Sequence, residues 1–362
     1  MARTVALGTI TQALIDTQDD VSKTPYISVS INDNAGAGAV EYWSRLEYLE
    51  YHEETYRDRA VIGLNNRDNA LDNINMDGQE FTLGLGYDSS GHGGTTTDTV
   101  AQATLWVKSH QILSVQGDRI YQIFAEGMWM SLREQKILTG VTGDQDVAYA
   151  SIFNRTKTVE ALMKLVIEAM GWTWTAVATS DNITDIFLPV FNVNLAPFES
   201  GASLLYRLIS MTKSYLRPKT GKVFEVVYPQ ITDPVDETYY SDQAPYFLEH
   251  DESTILLVPN SIVVLCNQDP SGEWNTTLYP LIVGTAQDPD QFTAGVYDGN
   301  YHEVIGVYVA GSINNQADAD KRADAILTQL KSETFGGRLV LPFHDCRMEL
   351  YDRVEIDDQR GH

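Results

Sequence analysis

Two cysteines in 362 residues, Cys266 and Cys346, leave no room for a disulfide framework or for the paired-thiol spacing of a structural zinc site. Each lies in an apolar stretch and reads as a buried core thiol. Long apolar runs are also missing. No window offers the roughly 18 or more apolar residues of a membrane span. The opening MARTVALGTITQAL carries one cation and no apolar run before a small-residue cleavage site, so it does not read as a secretory signal. Cations are scarce: 25 Lys+Arg against 50 Asp+Glu give a formal net charge of -25. Phosphate binding needs clustered cations, so nucleic acid is disfavoured as a specific ligand. The same surface would let DNA slide past without sticking, and it would equally keep an ordinary protein soluble. Disorder is excluded as well, because 43% hydrophobic and 10% aromatic residues are a globular composition.

Catalytic signatures are absent too. The sequence holds no His-Glu-x-x-His, no Gly-x-Ser-x-Gly elbow and no Walker loop, and Gly84-Leu85-Gly86 lacks the third glycine of a dinucleotide site. His344-Asp345-Cys346 invites a nucleophile reading, with Cys346 as thiolate and His344 as base. Leu341, Pro342, Met348 and Leu350 around it instead favour a core thiol. The pairs Asp144/Asp146, Asp288/Asp290 and Asp357/Asp358 do not extend into a calcium loop. Trp106, Trp129, Trp172, Trp174 and Trp274 are dispersed, which fits core and interface filling better than a carbohydrate platform. Sequons at Asn154, Asn182 and Asn275 carry no message without a secretion signal. Accordingly no catalytic, cofactor-binding or metal residue is assigned, and the chain is not expected to be an enzyme.

What is present is strand after strand. Ile27, Val29 and Ile31 alternate with Ser28 and Ser30, the pattern of a half-buried strand, and Asn32-Asp33-Asn34 follows with turn chemistry. Further strand patterns cover 45–56, 59–64, 79–87, 102–109 and 119–132, with a Gly-rich loop at 88–98. Helical periodicity first appears at 158–171, with Thr158 as N-cap and Gly171 as stop. A second helix starts at Ser200 and ends before Arg217-Pro218; 221–228 returns to strand. Beyond the acidic, Pro-containing stretch 233–244, strands are expected at 253–258, 261–266, 277–283 and 302–309. A helix capped by Asn315 should span 316–331, and strands 338–341 and 346–356 should close the chain. A chain this long favours two to four folding units. The order of elements sets them at 1–150, 151–232 and 233–362.

The C-terminal stretch GVYVAGSINNQADADKRADAILTQLKSETFGGRLVLPFHDCRMELYDRVEIDDQRG places a strand, an Ala-rich helix and a strand before a Leu-Tyr-Asp turn. Upstream stand Val258-Pro259-Asn260-Ser261-Ile262-Val263-Val264, and in the centre TVEALMKLVIEAMGW and ESGASLLYRLISMTKSYLRPKTGKVFEVVYP. In this order they resemble tail-hub proteins of tailed phages: the contractile baseplate hub, the late control D family and the siphophage tail-tip hub. The likeness covers about 150–360; the loop after Gly86 and the segment 268–300 depart from it. It implies an α+β, β-dominated fold with two tube-like β-barrel domains and an inserted helix-plus-strand module.

The resemblance further implies a homotrimeric ring in the virion, at the tail tip or baseplate, assembled in the host cytoplasm and serving host-cell attachment and DNA ejection. Its partners would be the tail tube protein, distal tail or fibre and spike proteins, the tape-measure protein, and DNA transiently in the lumen. Asn260 at the strand start and Tyr351, Asp352 and Arg353 at the last turn are the implied interface residues. Two other readings stand beside it. One is a carbohydrate- or peptidoglycan-active β-protein using carboxylates without a motif; the other is an extracellular adhesion module, which needs a secretion route.

Overall fold

A computed structural model describes residues 10–32, 38–115, 117–136, 152–193, 199–230, 232–269 and 271–361. It is an α+β, β-dominated structure. Helix α1 (Gln12–Asp19) comes first, capped by Thr11, whose side chain accepts from Leu14 N. Eight strands follow: β1 (Pro25–Asn32), β2 (Ala39–Glu41), β3 (Leu46–Glu54), β4 (Arg57–Asn65), β5 (Glu80–Tyr87), β6 (Asp98–Ala101), β7 (Leu105–Val115) and β8 (Asp118–Gly127). They pair in the order β2-β1-β5-β7-β8-β4-β3, with β6 also on β5. The period-2 alternation predicted for 26–31 holds, since Val29 and Ile31 are buried beside Ile62, Leu64, Phe81, Leu83, Leu105 and Ile123 in one core.

The pairing path stops at β2 and β3, so the described residues form no closed barrel. A cleft of about 530 Å³ lies at this opening, lined by Ile27, Tyr48, Tyr51, Glu53, Leu85, His344 and Met348. The strand expected to run to Leu132 instead ends at Gly127, where α2 (Met128–Glu134) begins. Two forces turn the chain there. Asp58 Oδ2 accepts from Met128 N at 3.2 Å. Met128, Trp129 and Leu132 also bury one helical face at i, i+1 and i+4, a spacing no strand can use.

The central part contains β9 (Ile152–Asn154), α3 (Val159–Ala169), β10 (Thr173–Thr175), β11 (Val190–Asn192), α4 (Gly201–Ile209), β12 (Tyr215–Lys219) and β13 (Val223–Val227). Thr158 caps α3 as expected, accepting from Ala161 N at 3.2 Å. Gly171 takes φ +73° just past the helix, where a side chain would be strained. Helix α4 stops at Ile209, well before Pro218, which sits inside β12. β13 pairs antiparallel with β12 and parallel with β10.

Last come β14 (Glu237–Tyr240), β15 (Glu249–Thr254), β16 (Ser261–Cys266), β17 (Ile282–Gln287), β18 (Phe292–Thr293), β19 (Val296–Tyr297), β20 (Ile305–Ala310), α5 (Gln316–Ser332), β21 (Phe335–Val340) and β22 (Val354–Asp357). β16 is the centre of a three-stranded sheet, antiparallel to β17 and parallel to β20. β14 with β22 and β15 with β21 are separate ribbons. Asn315 caps α5, accepting from Asp318 N at 2.8 Å. Ala319 and Ala323 of that helix are fully buried with Ile262, Val264 and Cys266 of β16. Helix and sheet approach so closely that a Cβ at Gly284 would overlap the Ala319 carbonyl. One apolar core runs from Met128 through α3, α4, β13 and β16 to Leu327.

The closing strand is shorter than its sequence pattern suggests. β22 covers only Val354–Asp357, and the residues from Pro342 to Arg353 form turns. Their backbone groups are claimed by distant parts of the chain.

A C-terminal keystone and an uncovered sheet face

The turns before β22 contact α1, β12 and β14, elements from all three stretches of the chain. Cys346 N and Sγ both reach Gln18 Oε1 of α1, at 3.0 and 2.8 Å. The thiol is buried with Ile10, Leu14, Tyr87 and Val100. Arg347 bridges Asp345 at 3.0 Å, Glu237 of β14 at 2.6 Å and Asp19 of α1 at 3.2 Å. Burial opposes the Asp345 charge, but Arg347 outweighs it and holds that carboxyl below the ordinary range. Tyr239 donates to Asp345 Oδ2 at 2.8 Å.

A second ionic knot ties the same segment to the central sheet. Alternation along β12 sets Arg217 and Lys219 on one face, and the register places Glu225 directly opposite Arg217. Arg217 contacts Glu225 at 2.9 Å, Glu349 at 3.1 Å and Asp352 at 3.2 Å. Lys219 contacts Glu225 at 2.8 Å and Glu349 at 3.3 Å. Burial works against the Arg217 charge, yet Glu349, Glu225 and Asp352 keep its pKa above the arginine value. Glu53 of β3 faces the knot from the N-terminal sheet; burial and nearby Glu349, Asp58 and Asp352 raise its carboxyl to about 7.

The four residues expected at an interface are all engaged within their own chain. Asn260 is fully buried. Its amide donates to Gln291 Oε1 at 2.9 Å and His302 O at 3.1 Å, and its Oδ1 accepts from Val304 N at 2.9 Å. Tyr351 stacks on Tyr215 and donates to Thr55 Oγ1 at 3.3 Å. Asp352 belongs to the Arg217 knot. Arg353 is exposed; its backbone N–H donates to Asp236 Oδ2 at 2.9 Å and its guanidinium donates to Asp233 O. The structure thus gathers Tyr351, Asp352 and Arg353 at one junction and leaves Asn260 at the separate β16 sheet.

That sheet has two unlike edges. On β17, Thr285 N donates to Asp320 Oδ1 at 3.2 Å and Val283 O accepts from Gln316 Nε2 at 2.7 Å, so α5 caps the edge. Strand β20 has no such cap among the described residues. Its side chains alternate, and Ile305, Val307 and Val309 stand 53%, 61% and 65% exposed. The register aligns Val307 with Val263 and Val309 with Leu265, so all lie on the face away from α5. An apolar sheet face beside an open strand edge is a surface that soluble proteins ordinarily cover.

The groups that resemble reactive ones are placed otherwise. Burial pushes the Cys346 thiol up to about 12, the reverse of an activated nucleophile, and His344 lines the cleft at the opening of the N-terminal sheet. Asp288 and Asp290 both pair with Lys331, and Asp358 pairs with Arg360; Asp144 and Asp146 lie outside the described residues. Among the described residues, no three His, Cys, Asp or Glu side chains are grouped to hold a metal ion. No described helix is long and apolar enough to cross a membrane.

No family model matches the chain, and no curated protein does. Solved structures do. The tail protein from Neisseria meningitidis MC58 is 12% identical, with 93% of this chain and 88% of that one covered, at a TM-score of 0.60. The 43 kDa tail protein of prophage MuSo2 from Shewanella oneidensis is also 12% identical, with 93% and 90% covered, at a TM-score of 0.57. At this identity the fold is what is shared: the chain has a phage tail-protein fold, in line with the hub resemblance of its C-terminal two thirds.

Proposed function

We propose that this protein is a structural tail-hub subunit that works as a homotrimeric ring at the tail tip or baseplate of a virion. The tail-protein fold supports the tail role, and the exposed stripe of Ile305, Val307 and Val309 on the uncapped β20 edge supports assembly. A monomer would leave that stripe in water; a ring covers it on every copy and stops growing on closure. In this reading 1–150 and 233–362 are the two tube-like units, and 151–232 is the bracing insertion. Their open sheets complete barrels only when copies meet, which fits a β2–β3 opening that no described strand fills.

The ring would join the tail tube protein above to distal tail, fibre or spike proteins below, with the tape-measure protein and DNA passing through an acidic lumen. Assembly would take place in the host cytoplasm. Of the four implied interface residues, exposed Arg353 is best placed to reach a neighbour; Asn260, Tyr351 and Asp352 would act by shaping the surface behind it. Light scattering coupled to gel filtration, with electron-microscopic class averages, tests this. A ring of threefold or pseudo-sixfold appearance is expected, and a monomer at every concentration that never joins tail-tube protein would refute it.

A further inference from the structure

The knot where β3 meets β12 and the turn Glu349–Asp352 holds more acid than base. Its cations are Arg217 and Lys219; its carboxyls are Glu225, Glu349, Asp352 and Glu53, while neighbouring Asp58 has Arg133 facing it. The first three each touch a cation. Half-buried Glu53 makes no ion pair among the described residues. It faces Glu349 and Asp352 from the C-terminal segment, Asp58 from β4 and Arg217 from β12. The phenols of Tyr51 and Tyr351 also stand near it, and His344 lines the same cleft. Glu349 Oε1 is buried with no hydrogen-bond partner. Two cations cannot neutralise four carboxylates in this partly buried cluster, so it is most stable with a proton retained.

We infer that Glu53 is a proton-operated latch: protonated, it lets residues 345–353 seat against the N-terminal sheet, and ionised, it repels Glu349 and Asp352 and loosens them. The direction follows from linkage. Burial and like charge raise the Glu53 carboxyl from 4.5 to about 7 in the seated state. Unseating returns it toward its ordinary value and releases the proton. The contribution of Glu53 to seating is therefore complete below about pH 4.5, weakens through the interval up to about 7, and changes no further above it. Asp58 shifts as well, to about 6, but its Oδ2 is committed to Met128 N at the start of α2. The inference does not depend on the hub reading, since it concerns contacts inside one chain.

Hydrogen exchange on the full chain, corrected for the intrinsic pH dependence of exchange, tests it. Between pH 5.5 and 8, protection of residues 345–353 should fall by about thirtyfold if unseating fully restores the ordinary carboxyl. Glu53→Gln should abolish the fall, whereas Asp58→Asn should keep it. A flat wild-type profile, or an undiminished fall in Glu53→Gln, overturns the latch. Carbon-detected titration of glutamate carboxyls in the wild-type chain provides a check without substitution. One carboxyl titrating near 7 is expected, and none above 6 also overturns it.

Discussion

The rings of Tyr351 and Tyr215 stack with centroids 4.7 Å apart and 27° between their planes, although Tyr351 holds a left-handed backbone at φ +75°. A bulky residue accepts that conformation only when its surroundings dictate it. The stack fixes where the last turn meets β12, just beside the Arg217 knot.

Tyr351→Ala should therefore lower stability by about 1–3 kcal/mol, because the ring pair is lost while the backbone strain remains. Tyr351→Phe keeps the stack and should unfold close to the wild type. Denaturant midpoints at unchanged slope measure both.

Arg217 is the only side chain that reaches Glu225, Glu349 and Asp352 together among the described residues. Arg217→Met takes the cation from Asp352 and leaves Glu225 and Glu349 to share Lys219, and it should cost about 3–5 kcal/mol, the scale found when one partner of a buried pair is removed. Arg217→Lys keeps the charge but not the planar fork, so it should fall between the two. Thermal unfolding at pH 7 gives the order.

Val307→Asp puts a charge in the middle of the exposed stripe and meets no core atom. Its melting temperature should match the wild type within a few degrees while self-association is lost, as light scattering would report. Reduced melting temperature with assembly intact would relocate the contact surface.

Both thiols should be inert in the folded chain. Burial raises Cys346 to about 12 and Cys266 to about 11, and at pH 8 the thiolate that reacts with a disulfide reagent is almost absent. No label is expected within minutes, and two equivalents should enter after unfolding in guanidinium.

Local patterns carried much of this architecture. Strand β16 and helices α3 and α5 start where alternation, Thr158 and Asn315 indicated, because each cap acts on residues within one turn. Misses arose where a tertiary partner decided the outcome. Asp58 turned Met128–Glu134 into a helix, and Gln18, Arg217 and Asp236 claimed polar groups in a stretch whose apolar spacing suggested a strand. Helix α1 escaped notice because Leu14 is its only buried large apolar residue. The ionic knot joins positions 217, 219, 225, 349 and 352, with Glu53 facing it, and no window spans them. Its one local trace is a pair of cations, Arg217 and Lys219, on a single strand face with Glu225 across from them.

The bond between Gln18 and Cys346 joins positions 328 residues apart. During synthesis α1 must wait until Cys346 has left the ribosome before Gln18 Oε1 gains these partners. Closing so long a loop is slow, and it rewards the chain only once both ends of the loop are present. A product terminated before residue 346 would keep α1 without its partner and Arg217 without two of its acids, so the ends of this architecture become rigid together.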